Sequence, residues 1–173
     1  MRYAFLRAVN VGGRSKLPMR ELVAAAAAAG LGNTEFLLQS GNLVMHDSAL
    51  SDQGLRAALE NLAAERFGVT TRVVLRTPRA LTTTLALNPY ADQPTVYLSL
   101  WDEEPTPAAL EELARSKFTD AEFHIVPGAM FILYSGESHT SKLNNTFVER
   151  KLGVYTTVRN LRTLTRMLER WPA

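Results

Sequence analysis

Three polar segments hold the residues with the greatest chemical reach: Asn10-Val11-Gly12-Gly13-Arg14-Ser15-Lys16, Gln39-Ser40-Gly41-Asn42, and Lys142-Leu143-Asn144-Asn145 with Arg159-Asn160. Their common chemistry is anion binding. Gly12, Gly13 and Gly41 permit positive φ and close backbone approach, Lys16, Lys142 and Arg159 neutralise charge, and Asn10, Gln39, Ser40, Asn42, Asn145 and Asn160 supply oriented hydrogen bonds. Neither the nucleoside-triphosphate loop Gly-x-x-x-x-Gly-Lys-Ser/Thr nor the dinucleotide fingerprint Gly-x-Gly-x-x-Gly is present. A structural turn accounts for the first two segments as well, because Ser, Gly and Asn are also what a tight hairpin requires.

The usual catalytic patterns fail. His46, His124 and His139 lack metal-ligand spacing, Ser40 lies outside a Gly-x-Ser-x-Gly context, and Glu103-Glu104 and Glu111-Glu112 read as solvated acids. The chain has no cysteine, hence no thiol nucleophile and no thiolate metal site. No metal and no cofactor is expected, and no residue is assigned to catalysis.

With 173 residues, 46% hydrophobic and 21% charged, the chain can bury a substantial core. No apolar run is long enough for a membrane helix, and the start resembles no signal peptide, so the expected setting is the cytoplasm with no membrane partner. The formal charge of +2 is unevenly placed. From Lys142 onward, seven basic residues face Glu149 and Glu169, giving +5 against −3 for the rest. Such asymmetry favours an anionic partner, although a solvated basic helix face has the same signature.

The elements that would position these residues follow from periodicity. Residues 3–9 read as a strand, and Pro18 opens a helix with Met19, Leu22, Val23 and Ala26 on one face and Gly30 at its end. Residues 36–38 and 43–45 flank Ser40-Gly41 as a hairpin, Ser51 caps a helix that Gly68 ends, and 69–75 is strand-like. This order is the ferredoxin-like βαββαβ pattern of an α+β protein. Thr77-Pro78 then starts a short helix, 95–100 alternate as a strand, Thr106-Pro107 starts a helix burying Leu110 and Leu113, and 122–126 and 129–134 flank Pro127-Gly128. The second half thus reads βαββ, followed by two helices near 142–152 and 161–170. Residues 1–76 and 77–173 are the expected subdomains. Arg159 and Asn160 stand at the expected entrance of the last helix, where unpaired N–H groups favour an anion.

The succession LRAVNVGG…KLPMREL, LQSGNLV, SKLNNTFVERKLG and TTVRNLRTL resembles a bacterial family known only as a domain of unknown function, DUF1697. The resemblance spans most of the chain. It implies an α+β protein of ferredoxin-like organisation with no settled activity, and it marks Arg7, Asn10, Gly12, Gly13, Lys16, Gln39 through Asn42, Lys142, Asn145, Arg159 and Asn160 as family-like positions. This chain has Ala8-Val9 where the family usually has Gly-Ile, a change conservative for the fold, Val158 where Thr is common and Leu161 where Trp is common.

The function expected is binding of a phosphate-bearing small molecule or nucleotide, with the three segments gathered around it. The alternatives are single-stranded nucleic-acid binding, with an aromatic among Phe5, Tyr97, Phe131 and Tyr134 stacking a base; an enzyme on a phosphorylated substrate; and a protein-interaction module. Oligomeric state is not legible.

Overall fold

The structure, a computed structural model, describes residues 1–11 and 16–172. They form two compact units, one comprising residues 1–11, 16–81 and 170–172 and the other residues 82–169.

The first unit contains β1 (Arg2–Leu6), α1 (Met19–Ala28), β2 (Asn33–Leu37), β3 (Asn42–His46), α2 (Asp52–Phe67) and β4 (Val73–Arg76), with α3 (Pro78–Leu85) at its boundary. The strands pair antiparallel in the order β2-β3-β1-β4, the ferredoxin-like sheet expected from the element order. In α1, Met19, Leu22, Ala25 and Ala26 are buried at helical spacing. In α2, Leu55, Leu59 and Ala63 recur every four residues on the buried face. Both stripes meet Ala4, Leu6, Leu43, Met45, Val73 and Leu75 in one core. Each fully buried leucine contributes roughly 1.5–3 kcal/mol. Ser51 Oγ accepts from the Gly54 amide at 3.1 Å, and Gly68 closes α2 at φ 65°.

The second unit contains β5 (Tyr97–Trp101), α4 (Pro107–Ala114), β6 (Ala121–Val126), β7 (Ala129–Tyr134), α5 (Asn145–Leu152), β8 (Thr156–Asn160) and α6 (Leu161–Arg170), whose last residue, Arg170, belongs to the first unit. Its antiparallel sheet has the order β6-β7-β5-β8, matching the first sheet strand for strand. Trp101, Leu113, Met130, Ile132, Leu143, Val148 and Leu152 form its core. Leu113 is fully buried as expected, whereas Leu110 is only partly covered.

The chain departs from the sequence reading most clearly at β8, a strand where only a helix entrance is expected. Thr156, Thr157 and Val158 are a β-branched run, and pairing with β5 decides their conformation. With β8 the second unit also reads βαββαβ. Two expected strands are shorter: residues 7–9 and 69–72 lie outside β1 and β4.

Candidate functional site

In the first unit, Asn10 joins the loop after β1 to the β2–β3 turn. Its Nδ2 donates to the carbonyls of Gln39 at 2.6 Å and Leu17 at 2.9 Å, while its Oδ1 accepts from the Leu17 amide at 2.8 Å. Asn42 is buried and donates to the Leu37 carbonyl and Ser40 Oγ, both at 3.0 Å. The Gly41 carbonyl accepts from the Leu6 amide at 2.8 Å. A Cβ on Gly41 would meet Val9 Cγ2 at 2.5 Å and Leu6 Cβ at 2.9 Å, and its φ is +77°. The amides expected to hold a ligand are thus engaged in shaping this corner, while Gln39, Ser40 and Lys16 remain exposed. Gly12 and Gly13, with Arg14 and Ser15, lie outside the described residues. Ala8 and Asn10 at φ 55° and Leu38 at φ 63° give the corner an unusual density of left-handed backbone.

In the second unit, Arg159 lies in β8 rather than on the last helix. It is 9% exposed, and its Nη1 donates to Thr157 Oγ1 at 2.7 Å and to the Val158 carbonyl at 2.9 Å. Burial pushes its guanidinium down to about 10, still charged at neutral pH. Asn160 Oδ1 accepts from the Arg162 amide at 2.8 Å, and Asn145 Oδ1 accepts from Thr156 Oγ1 at 3.4 Å. These two amides thus serve the α6 entrance and the α5–β8 junction. Phe5 and Phe131 are fully buried, and Tyr97 and Tyr134, both half-buried, meet edge to face at 5.3 Å at the core periphery.

Lys142 occupies a different setting. It lines a recess of about 610 Å³ with Lys117, Asp120, Phe147, Arg150 and Lys151, together with the Ser116 and Thr119 hydroxyls and the Phe118 ring. Residues 116–120 connect α4 to β6, and α5 supplies the opposite wall. Phe147, Arg150 and Lys151, three and four residues apart, share one face of that helix. The wall is held at its start by Asn144, whose Oδ1 accepts from the Phe147 amide at 3.0 Å, and ends at Gly153 with φ 72°.

The charges around the recess are unequal. Lys151 pairs with Glu112 at 2.5 Å, and that hydrogen bond and charge hold the Glu112 carboxyl below its usual range. Among the described residues, the side chains of Lys117, Lys142 and Arg150 have no carboxylate within salt-bridge distance. Arg150 instead stands over the Phe147 ring at 5.5 Å, and Phe118 meets Phe147 edge to face at 5.1 Å. Asp120, the lining carboxylate, accepts from the Lys142 backbone amide at 3.3 Å. Sequence reasoning missed Lys117, Phe118 and Arg150 as site residues. The periodic placement of Phe147 and Arg150 was visible, but their meeting with residues 116–120 is tertiary.

Among the described residues no group of three or more His, Asp or Glu side chains is placed to hold a metal ion, and no helix is long and apolar enough to cross a membrane.

A family model described as "Protein of unknown function (DUF1697)" matches residues 1–131, three quarters of the chain. The chain belongs to the DUF1697 family. The solved structure of the conserved bacterial protein SP0830 from Streptococcus pneumoniae is similar to this DUF1697 chain with a TM-score of 0.75 over 97% of each chain, at 22% identity. That likeness establishes a shared fold. No curated protein matches. The matched span of the DUF1697 model ends before α5, so Lys142 and Arg150 lie beyond it.

Proposed function

We propose that this protein binds a phosphate-bearing small molecule of about nucleotide size in the recess between the 116–120 connection and α5. The observation that supports this most is the set of three cations without carboxylate partners, Lys117, Lys142 and Arg150, around a volume of about 610 Å³. Ligand pockets commonly span about 300–1,000 Å³. Ammonium and guanidinium groups lining one recess suit a phosphate, and the Ser116 and Thr119 hydroxyls add donors. The Phe118 and Phe147 rings offer an apolar surface to the non-phosphate part. This reading keeps the ligand class expected from the sequence and keeps Lys142, while assigning the ligand to one unit. It is a binding function with no turnover assigned: the lining has no histidine, and Asp120 is already committed to the Lys142 amide.

The test is thermal stabilisation and calorimetric titration with inorganic phosphate, sugar phosphates, mononucleotides and short oligonucleotides. A phosphate ester is expected to raise the melting temperature in a concentration-dependent way. Lys142→Ala and Arg150→Ala should each weaken binding about tenfold or more, since a hydrogen bond to a charged group contributes about 1.5–3 kcal/mol. Arg20→Ala, an exposed site in the other unit, should leave binding unchanged. Absence of stabilisation across the panel, or binding indifferent to Lys142 and Arg150, would reject the assignment.

A further inference from the structure

The order β6-β7-β5-β8 leaves β6 with a neighbour on one side only. Register shows which backbone groups face the open side. Val126 pairs with Ala129 across the two-residue turn Pro127-Gly128, and Asp120 accepts from the Ser135 amide at 3.0 Å. In an antiparallel ladder the hydrogen-bonded pairs alternate, so Glu122, His124 and Val126 bond to β7. Ala121, Phe123 and Ile125 therefore direct their N–H and C=O groups outward. Among the described residues those groups have no hydrogen-bond partner.

A recess of about 630 Å³ runs beside this edge, lined by residues 121–125 and bounded by Tyr90, Lys117 and Phe118. Natural edges are commonly protected by lysine, proline or a bulge. Residues 121–126 contain no lysine and no proline, and their register with β7 is unbroken.

The strand is also complementary to itself. Phe123 and Ile125 turn toward the core periphery, while Glu122 and His124 are exposed on the other face. Antiparallel pairing of two copies about a two-fold axis at Phe123 sets Phe123 against Phe123 and Ala121 against Ile125 as hydrogen-bonded pairs. Glu122 then faces His124 of the second copy, twice, at non-hydrogen-bonded positions, where Cα atoms approach to about 4.5 Å. Shifting the axis to Glu122 opposes two carboxylates, and shifting it to His124 opposes two imidazoles. Only the Phe123-centred register gives an attractive pair at both positions.

The geometry points to β6 as a homodimerisation edge, whose occupant is the β6 strand of a second copy of this chain in the Phe123-centred register. Eight strands would then form one continuous antiparallel sheet across the two-fold axis.

Sedimentation velocity on the full chain, from about 1 μM to about 1 mM, tests this. The wild type is expected to pass from monomer to dimer within that range. His124→Glu places carboxylate against carboxylate twice and should weaken the dimer about tenfold, each cross-strand pair being worth roughly 0.2–1 kcal/mol. Adding Glu122→His to that variant exchanges the two residues and should restore the affinity to within about threefold, a recovery that a general loss of folding would not give. Ala121→Pro removes an outward N–H at the first strand position, where proline is tolerated, and should also weaken association. A wild type that stays monomeric at about 1 mM overturns the proposal and leaves the edge to an extended peptide. A dimer unchanged by both His124→Glu and Ala121→Pro overturns it in favour of another face, and failure of the exchanged pair to recover overturns the register.

Discussion

Ala8 and Gly41 occupy the same left-handed region of backbone space with opposite consequences. Ala8, at φ 55°, is exposed, and it stands where the resembled family usually carries glycine. The exchange that looked conservative from sequence therefore places a Cβ where L-residues lose about 1–2 kcal/mol. Ala8→Gly is expected to raise the urea-unfolding free energy by about 0.5–1 kcal/mol, the entropic cost of glycine offsetting the remainder. Gly41→Ala should lower it by about 2–4 kcal/mol, because its Cβ would collide with Val9 and Leu6 in addition to the φ penalty. Equal effects of the two substitutions would contradict this account. The composition of 39–42 was readable as both turn and ligand loop; the burial of Gly41 and Asn42 explains why these two residue types are needed even without a ligand.

Capping residues were the most legible features of the elements. Ser51 and Thr106 each accept from an amide three residues on and Gly68 ends α2 in the left-handed region, as expected; Asn144 and Gly153 do the same for α5. A short helix depends strongly on such a cap, and α5 has only eight residues. Asn144→Ala should therefore cost about 1 kcal/mol in urea unfolding, and Asn144→Asp, which retains the accepting oxygen, should recover most of it. No loss in the alanine variant would place the stability of α5 entirely in Val148 and Leu152. The element that escaped sequence reading, β8, is short and adjoins α6 directly. Its Arg159-Asn160 end carries the polar residues of a helix entrance, so local chemistry favoured that reading. Pairing with β5, more than fifty residues earlier, outweighs it.

Charge shows the same separation between chain order and space. The +5 segment is divided among different settings: Lys142, Arg150 and Lys151 line the recess, Arg159 is buried, Arg162 and Arg166 are exposed on α6, and Arg170 stands 3.6 Å from Glu35 and over the Trp171 ring. Burial also governs alkaline stability. Tyr134 donates its hydroxyl to the Leu143 carbonyl at 2.9 Å, and desolvation, then the charges of Tyr97 and Asp120, push its phenol up to about 12. A raised pKa favours the protonated folded state, so its contribution is complete below pH 10 and is lost as pH rises through 12. The stability difference between wild type and Tyr134→Phe should accordingly be constant up to pH 10 and shrink by about 1–2 kcal/mol toward pH 12, after allowance for solvent screening. Arg159 titrates in the same window but is common to both proteins and cancels. A difference independent of pH would remove the role assigned to Tyr134. Periodicity, capping and turn residues act over a few positions, and so the α+β class, the βαββαβ order of the first unit and boundaries such as Ser51, Gly68, Thr106 and Pro127-Gly128 could be read from the chain. Whether Arg159 faces solvent, which lysines remain without a carboxylate and which strand stands at an edge depend on residues distant in sequence, because burial and electrostatic pairing are properties of neighbours that only folding brings together.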